Sequence, residues 1–443
     1  MILGNIERIK ADTVQPPEAE VVIIGGGIAG VTAALFLAEA GVKVVLCEKG
    51  IVGAEQSSRN WGWVRQMGRD PAELPMTIRS LELWRELDHR FGIDTGYRET
   101  GITYVCRTRA EIKEFSDWAV HAENAGMESQ KLDRKGLQHL LPGIADRYSM
   151  GLYTRTDGRA EPWRAVPQMA KAAQRLGAAV LENCAVRGLE TQGGRLSAVV
   201  TEKGTIRTDR AVLAGGVWSR LFLGNLGINF PQLKILATAA RIESAAQVPQ
   251  MPVGGGDFAF RKRLDGGFTV ALRNANVAPI VPDSFRLFRD FFPSLITSWR
   301  ELKLRVGGQF VTELNMPRRW ALDRETTFER IRTLDPAPYE PFNRAALRNL
   351  PKAFAGFADA RLTHSWGGMI DVTPDAIPVI SGVASLPGLF LSTGFSGHGF
   401  GSGPGGGELA AELVRGVSPR IDPKPFRLER FKNTHSEGAA RAA

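Results

Sequence analysis

"EVVIIGGGIAGVTAALFLAEAGVKVVLCEKG", residues 20–50, decides the fold. Its "VVII" is a short β-branched run with no polar position, the pattern of a strand buried on both faces of a parallel sheet. Gly25, Gly27 and Gly30 follow in G-x-G-x-x-G spacing. From Val31 to Ala40 the chain is rich in alanine and leucine and reads as a helix, which Gly41 would end. "VKVVLCE" is a second buried strand closing on Glu48. A lone glycine motif would be weak, but strand, glycines, helix, strand and terminal acid together specify a βαβ unit that binds a dinucleotide. Gly25 permits the tight turn, Gly27 lets a pyrophosphate reach the main chain, and Gly30 lets helix and strand pack closely. The helix start at Ile28 and Ala29 offers free N–H groups to phosphates. Glu48, followed by Lys49, stands at the carboxyl end of the second strand, where it would accept hydrogen bonds from a ribose.

The stretch that follows, "KGIVGAEQSSRNWGWVRQ" at 49–66, contains no immediate third strand. A nicotinamide enzyme would add further βα units here. A second glycine-rich run, "GFSGHGFGSGPGGGE" at 394–408, lies at the other end of the chain and asks for a ligand that reaches it. An extended FAD, its adenosine on the first βαβ unit and its ring elsewhere, meets that demand better than NAD.

Bulk properties narrow the class. At 443 residues, 43% hydrophobic and 23% charged, the chain can build a large globular core in two or three domains. No apolar run is long enough for a transmembrane span, and the first 17 residues lack a signal-peptide core, so a cytoplasmic protein is expected. Cys47, Cys106 and Cys184 lie far apart without a CxxC pair, which points to reduced thiols and no metal site. The net charge of +9 is spread along the chain, and its basic groupings do not alternate with stacking aromatics. Nucleic acid is therefore not an expected partner, and an anionic small substrate is a more economical one.

With these motifs in order, the chain resembles the D-amino-acid oxidase/sarcosine oxidase superfamily of flavoproteins over residues 18–415. Besides 25–50, the resemblance is carried by "SSRNWG" at 57–62, "DGRAEPWR" at 157–164, "AVLAGGVWS" at 211–219, "GGMIDVTPDAIPVI" at 367–380 and the final glycine run. It implies an α/β fold: a Rossmann-like FAD-binding domain from 18–95, 150–225 and 361–430, and a second α+β substrate domain with a mixed or antiparallel sheet from 96–149 and 226–360. Residues 1–17 and 431–443 are expected to be flexible ends. By the same resemblance, Ser57, Ser58, Arg59, Asn60, Trp61 and Gly62 wrap beneath the flavin. Val186 meets adenine through its backbone, Ala214, Gly215 and Trp218 lie by the phosphates and ribose, and Gly368 and Met369 flank the ring. Gly397, His398, Gly399, Phe400 and Gly401 form a loop along the isoalloxazine, with a helix beginning near Gly407 and aimed at it. Glycines here would let the flavin touch main-chain amides, which stabilise the negative charge of its reduced form.

The family's common reaction moves a hydride from a carbon bearing nitrogen to the flavin, giving an imine that water hydrolyses. A carboxylate on the substrate calls for a bidentate arginine, and Arg65 is the candidate, against an ordinary structural salt bridge. His398 is a candidate for a hydrogen bond at the ring edge or for proton transfer. Trp61, Trp63 and Trp366 are candidate pocket walls, or simply core. Two departures stand out: the sarcosine-oxidase type has a lysine at the position of Gly401 and a flavin-linking cysteine at that of Gly368. The first weakens a sarcosine-like substrate; the second predicts noncovalent FAD. The expected partners are an amino acid or amine, oxygen or another electron acceptor, and an oligomer or partner-subunit contact. Rival readings are a polyamine-type amine oxidase, a 2-hydroxy acid dehydrogenase and an FAD-binding subunit without turnover. The aromatics and leucines of Ser284 to Phe354, at helical spacing, predict a long helical region packed on the core, or else a lid or an oligomer contact.

Overall fold

The computed structural model describes residues 6–299 and 301–431. Chain order begins with strand β1 (Val21–Ile24), helix α1 (Ile28–Glu39), strand β2 (Val44–Cys47) and helix α2 (Leu74–Phe91). Strands β3 (Ala179–Leu181), β4 (Ala211–Leu213), β5 (Leu233–Glu243), β6 (Arg361–Val372), β7 (Val379–Gly382) and β8 (Leu389–Thr393) follow, and then helix α3 (Gly399–Arg415).

The first sheet runs β7-β8-β4-β1-β2-β3, parallel except for β7. All four residues of β1 and of β2 are buried, as their unbroken apolar runs require in a sheet covered on both faces. Helix α1 is buried from Ile28 to Ala38 because it packs between this sheet and α3. Its residues are accordingly apolar all round, without a polar stripe.

The second sheet has ten strands and is mixed. Its centre is the long antiparallel pair of β5 and β6, running from Leu233 opposite Val372 to Glu243 opposite Arg361 with one register shift between Arg241 and Ile242. The architecture is thus α/β with a Rossmann-like unit and a second mixed sheet. Two segments assigned by sequence to the nucleotide-binding half, Met150–Thr154 and β6, are instead strands of this second sheet. Strand β6 belongs to it because it pairs with β5 along its length.

Two further expectations are corrected. Residues 6–17 are not loose. Ile6 is buried, and Asp12 exchanges two hydrogen bonds with Val180, its N–H reaching the Val180 carbonyl at 2.9 Å and its carboxylate accepting the Val180 N–H at 2.8 Å. The segment thereby covers the open edge at β3. Residues 1–5 and 432–443, also expected to be flexible, lie outside the described residues.

The region from Ser284 to Phe354 is not one long helical unit. Helices Pro282–Arg286, Phe288–Ser298, Gly308–Leu314, Thr327–Arg330 and Glu340–Ala353 are separated by loops and by strand Leu302–Arg305. Its last helix contributes to the core through Ala346, Leu350 and Ala353, and the short helix Thr327–Arg330 through Phe328. Phe285, Phe288, Phe292 and Ile296 are exposed, so the apolar spacing there marks an outward face. Among the described residues no helix is long and apolar enough to cross a membrane, and no cluster of three or more histidines, cysteines and acids is placed to hold a metal.

Candidate active site

A cavity of about 540 Å³ runs from the turn after β1, past β4 and β6, to the start of α3 and the second sheet. At its first end Gly25 has φ 112°, and a Cβ there would come within 2.5 Å of the Ala214 carbonyl oxygen. Gly30 faces the Gly25 carbonyl and Ile23, which is the close helix–strand approach expected of it. The Glu48 carboxylate accepts the N–H groups of Gly26 at 2.7 Å and Gly50 at 2.8 Å. Burial pushes its pKa above the ordinary carboxylate value, against the pull of Lys49 and those two amides. Ser57 Oγ accepts the Ile28 N–H at 2.9 Å, so that donor of the first turn of α1, expected to be free, is already satisfied within the chain. Lys49 is committed elsewhere: its ammonium reaches Glu55 at 2.6 Å and the carbonyls of Ile331 and Arg332, and it lies 4.8 Å over the Trp218 ring.

Farther along, Arg59 donates to Ala54 O and Gly367 O and pairs with Asp335, while its buried Nη2 has no partner. Gly368 lies against it, a Cβ there falling 3.1 Å from Arg59 Cβ. Trp366 donates its indole N–H to Arg59 O at 2.9 Å and is a strut behind the site; Trp61 and Trp63 do line the cavity. The segment Gly397 to Gly401 forms the opposite wall. His398 Nδ1 is 3.3 Å from Glu73 Oε2. Burial, and next the Arg69 charge, lower the His398 pKa to about 4 despite Glu73, so the ring is neutral at pH 7. A neutral imidazole with Nδ1 directed at a carboxylate serves as a fixed polar group, and its weak basicity makes it a poor proton acceptor.

Helix α3 starts at Gly399, eight residues before the expected start near Gly407. Its glycines have two duties. Gly397, with φ 83°, and Gly401 face the cavity. Gly403, Gly405 and Gly407 face helices: an added Cβ would meet Ile28, the Met76 carbonyl and Thr32 respectively. The idea that the whole run exists for flavin contact is corrected accordingly.

The remaining end holds Arg65, Arg69, Tyr104, Phe115 and Arg273, with Glu114 and Glu301 among the lining side chains. Arg65 donates to the Met67 carbonyl and sits 5.6 Å over the Tyr104 ring. Arg273 lies 4.4 Å over Tyr104 and 5.4 Å over Phe115. Arg69 and Arg273 were not singled out in the sequence. Neither carries a motif, and what brings them together is the packing of two remote segments on Tyr104.

Of the residues expected at a flavin, Gly25, Gly27, Ile28, Ala29, Glu48, Lys49, Ser57, Arg59, Asn60, Trp61, Val186, Ala214, Gly215, Trp218, Gly368 and Gly397–Gly401 all line this one cavity. Gly30, Ser58, Gly62 and Met369 do not. Ser58 bonds back to Glu55 O, Gly62 is pressed on Ala160 O and Arg261, and Met369 packs in a hydrophobic cluster. Asp371, not singled out, lines the cavity with its carboxylate accepting the Gly394 N–H at 2.8 Å. A long cavity with a glycine turn at one end, a glycine-walled helix start at the other and an unpaired buried guanidinium nitrogen between them fits FAD.

Comparison with known proteins agrees. The chain is 25% identical to 4-methylaminobutanoate oxidase (formaldehyde-forming) of Paenarthrobacter nicotinovorans over 94% of its own length and 46% of that protein's, so it spans about half of that relative. It is 24% identical to sarcosine oxidase subunit beta of an Arthrobacter species, covering 96% of this chain and 94% of that one. Among solved structures, L-amino acid deaminase from Proteus myxofaciens in complex with anthranilate superposes with a TM-score of 0.93 at 32% identity over 96% of both chains. The profile of the FAD dependent oxidoreductase family, DAO, spans residues 20–413, nearly the whole chain, and the chain belongs to that family.

Proposed function

We propose that the protein removes a hydride from the carbon next to the amine of an amino acid or N-substituted amino acid, giving an imine that hydrolyses to a carbonyl compound. The observation that carries this reading is the arginine-bearing end of the cavity facing the glycine-walled start of α3. Bound FAD would supply the hydride acceptor. The chain's own part is to bind and orient. Arg65, beside Tyr104, holds a substrate carboxylate, while Trp61 and Trp63 wall the amine side. The amides at the start of α3 and the helix dipole favour negative charge at the ring position facing them. His398 acts as a neutral hydrogen-bonding group at that edge, in line with its lowered pKa.

FAD is held noncovalently in this reading, by the lining residues named above. A cytoplasmic location belongs to it too, supported by three cysteines that are all free thiols. The exposed apolar face around Phe285, Phe288 and Phe292 supports contact with a second copy or a partner subunit. Anaerobic titration of the yellow protein with D- and L-amino acids, N-methyl amino acids, polyamines and 2-hydroxy acids tests the reaction. Bleaching of the flavin band by amino acids is the expected result. Bleaching by polyamines or hydroxy acids alone would replace the substrate class, and a colourless protein unable to take up FAD would remove the proposal altogether.

A further inference from the structure

Arg69 is a charged side chain of the cavity to which the reaction above gives no task. It is only 4% exposed, it lines the cavity, and its Nε and Nη1 have no hydrogen-bond partner. Its backbone is fixed, since the Trp118 indole N–H donates to Arg69 O at 2.8 Å. Arg65 is next to it, four residues back on the same wall. Leaving a buried guanidinium unpaired is costly, and the chain bears that cost beside a second cation. Arg273 comes in from a different segment, on the Tyr104 and Phe115 rings. Of the nearby acids, Glu114 and Glu301 are exposed, while Glu73 and Asp157 are buried and only partly offset the effect of burial and of Arg65 on the Arg69 guanidinium.

A simple α-amino acid brings one carboxylate, which one guanidinium fork satisfies. Here two guanidinium positions contact the same tyrosine from separate segments, and one of them is reinforced by a buried neighbour with open donors. We infer that the substrate carries two acidic groups: one seats on Arg65, with Arg273 on the same Tyr104 ring, and the other on the buried Arg69. The chemical class is an acidic amino acid or an amine bearing a carboxyalkyl arm. This inference rests on the amine-oxidation reading for the substrate's fate, and on Arg69 alone for the second acid.

The test separates the two by using ligands that cannot react. The yellow holoenzyme is titrated with glutarate and with its monoamide, glutaramate, following perturbation of the flavin band and the shift in melting temperature. Glutarate should half-saturate at about tenfold lower concentration, as expected for one charge-assisted bidentate contact against a neutral one. In R69M that preference should vanish, and R69K should restore part of it, because lysine returns the charge without the planar fork. Equal affinity for the two ligands in the wild type overturns the inference even if no variant folds, and so does an undiminished preference in R69M. A glutarate preference in a protein that no amine bleaches would sink the reaction reading and leave the two-acid site standing.

Discussion

Half-buried His398 and buried Asp157 answer acid in opposite senses. His398 is held at about 4, below its ordinary value, chiefly by burial. The folded protein therefore binds fewer protons there than the unfolded chain, and stability is lost as pH falls from about 6.5 toward 4. Asp157 is pushed up to about 7, again chiefly by burial, although its carboxylate accepts the N–H groups of Gln66 and Met67. There the folded protein binds protons more tightly, and stability is lost as pH rises from about 4 toward 7. The two slopes oppose each other across the same window. H398Q should leave the Asp157 slope exposed, with stability falling as pH rises from 4 to 7. D157N should leave the His398 slope, with stability rising over that span, each by about 3 kcal/mol at most. Urea unfolding midpoints at pH 4.5, 5.5 and 6.5 read both. Parallel profiles in wild type and variants would mean that neither group titrates as described. Sequence could offer His398 as a site residue but not its neutrality. That depends on desolvation and on Arg69, which reaches it from another segment and outweighs Glu73.

At the level of elements, α3 depends on helix-to-helix contact as much as on the cavity. Pro404 has no N–H to continue the ladder, and at the next step Ser80 of α2 stands in for it: its hydroxyl donates to Gly401 O at 2.7 Å and accepts the Gly405 N–H at 3.1 Å. Trp84 also donates to Gly401 O, at 3.0 Å. S80A would leave the Gly405 N–H unsatisfied in a fully buried position, a loss of about 1–3 kcal/mol. G407A would force a methyl onto Thr32 and the Ala33 backbone of α1, costing about 1–3 kcal/mol or more by overpacking. Thermal unfolding of the two variants checks both, and wild-type stability in either would mean that the helices separate more easily than their contacts imply. This packing explains why the start of α3 was misplaced in the sequence. Glycine and proline have the poorest helix propensities, so 399–406 reads as loop. Only the proximity of α1 and α2 makes small residues a requirement for helix there. The βαβ unit, by contrast, was legible because each of its features is local: strand pattern, glycine spacing and terminal acid within 31 residues.

For the whole molecule the cavity is also a seam. Its walls come from the first sheet (Ile24, Leu213), from the second (Tyr104, Thr238) and from α3 (Gly399, Gly401), so a ligand filling it ties all three together. Such convergence is what one sequence shows poorly. The order of motifs announced the ligand, while the outward face of 285–296 and the strand β6 crossing into the second sheet follow from tertiary packing. FAD held across the seam should stabilise the entire fold by linkage, about 2.7 kcal/mol when free FAD stands 100-fold above its Kd. Removing it should lower the melting temperature by several degrees, and adding FAD back should restore it. The attachment itself is reversible in this account, because Gly368 offers no sulfur at the ring and, of the three cysteines, only Cys47 lines the cavity, beside Glu48 at the opposite end. Acid precipitation of the yellow protein should therefore leave the colour in the supernatant and a white pellet. A yellow pellet would establish a covalent bond to some other side chain, and the recovery of melting temperature on adding FAD would then fail as well.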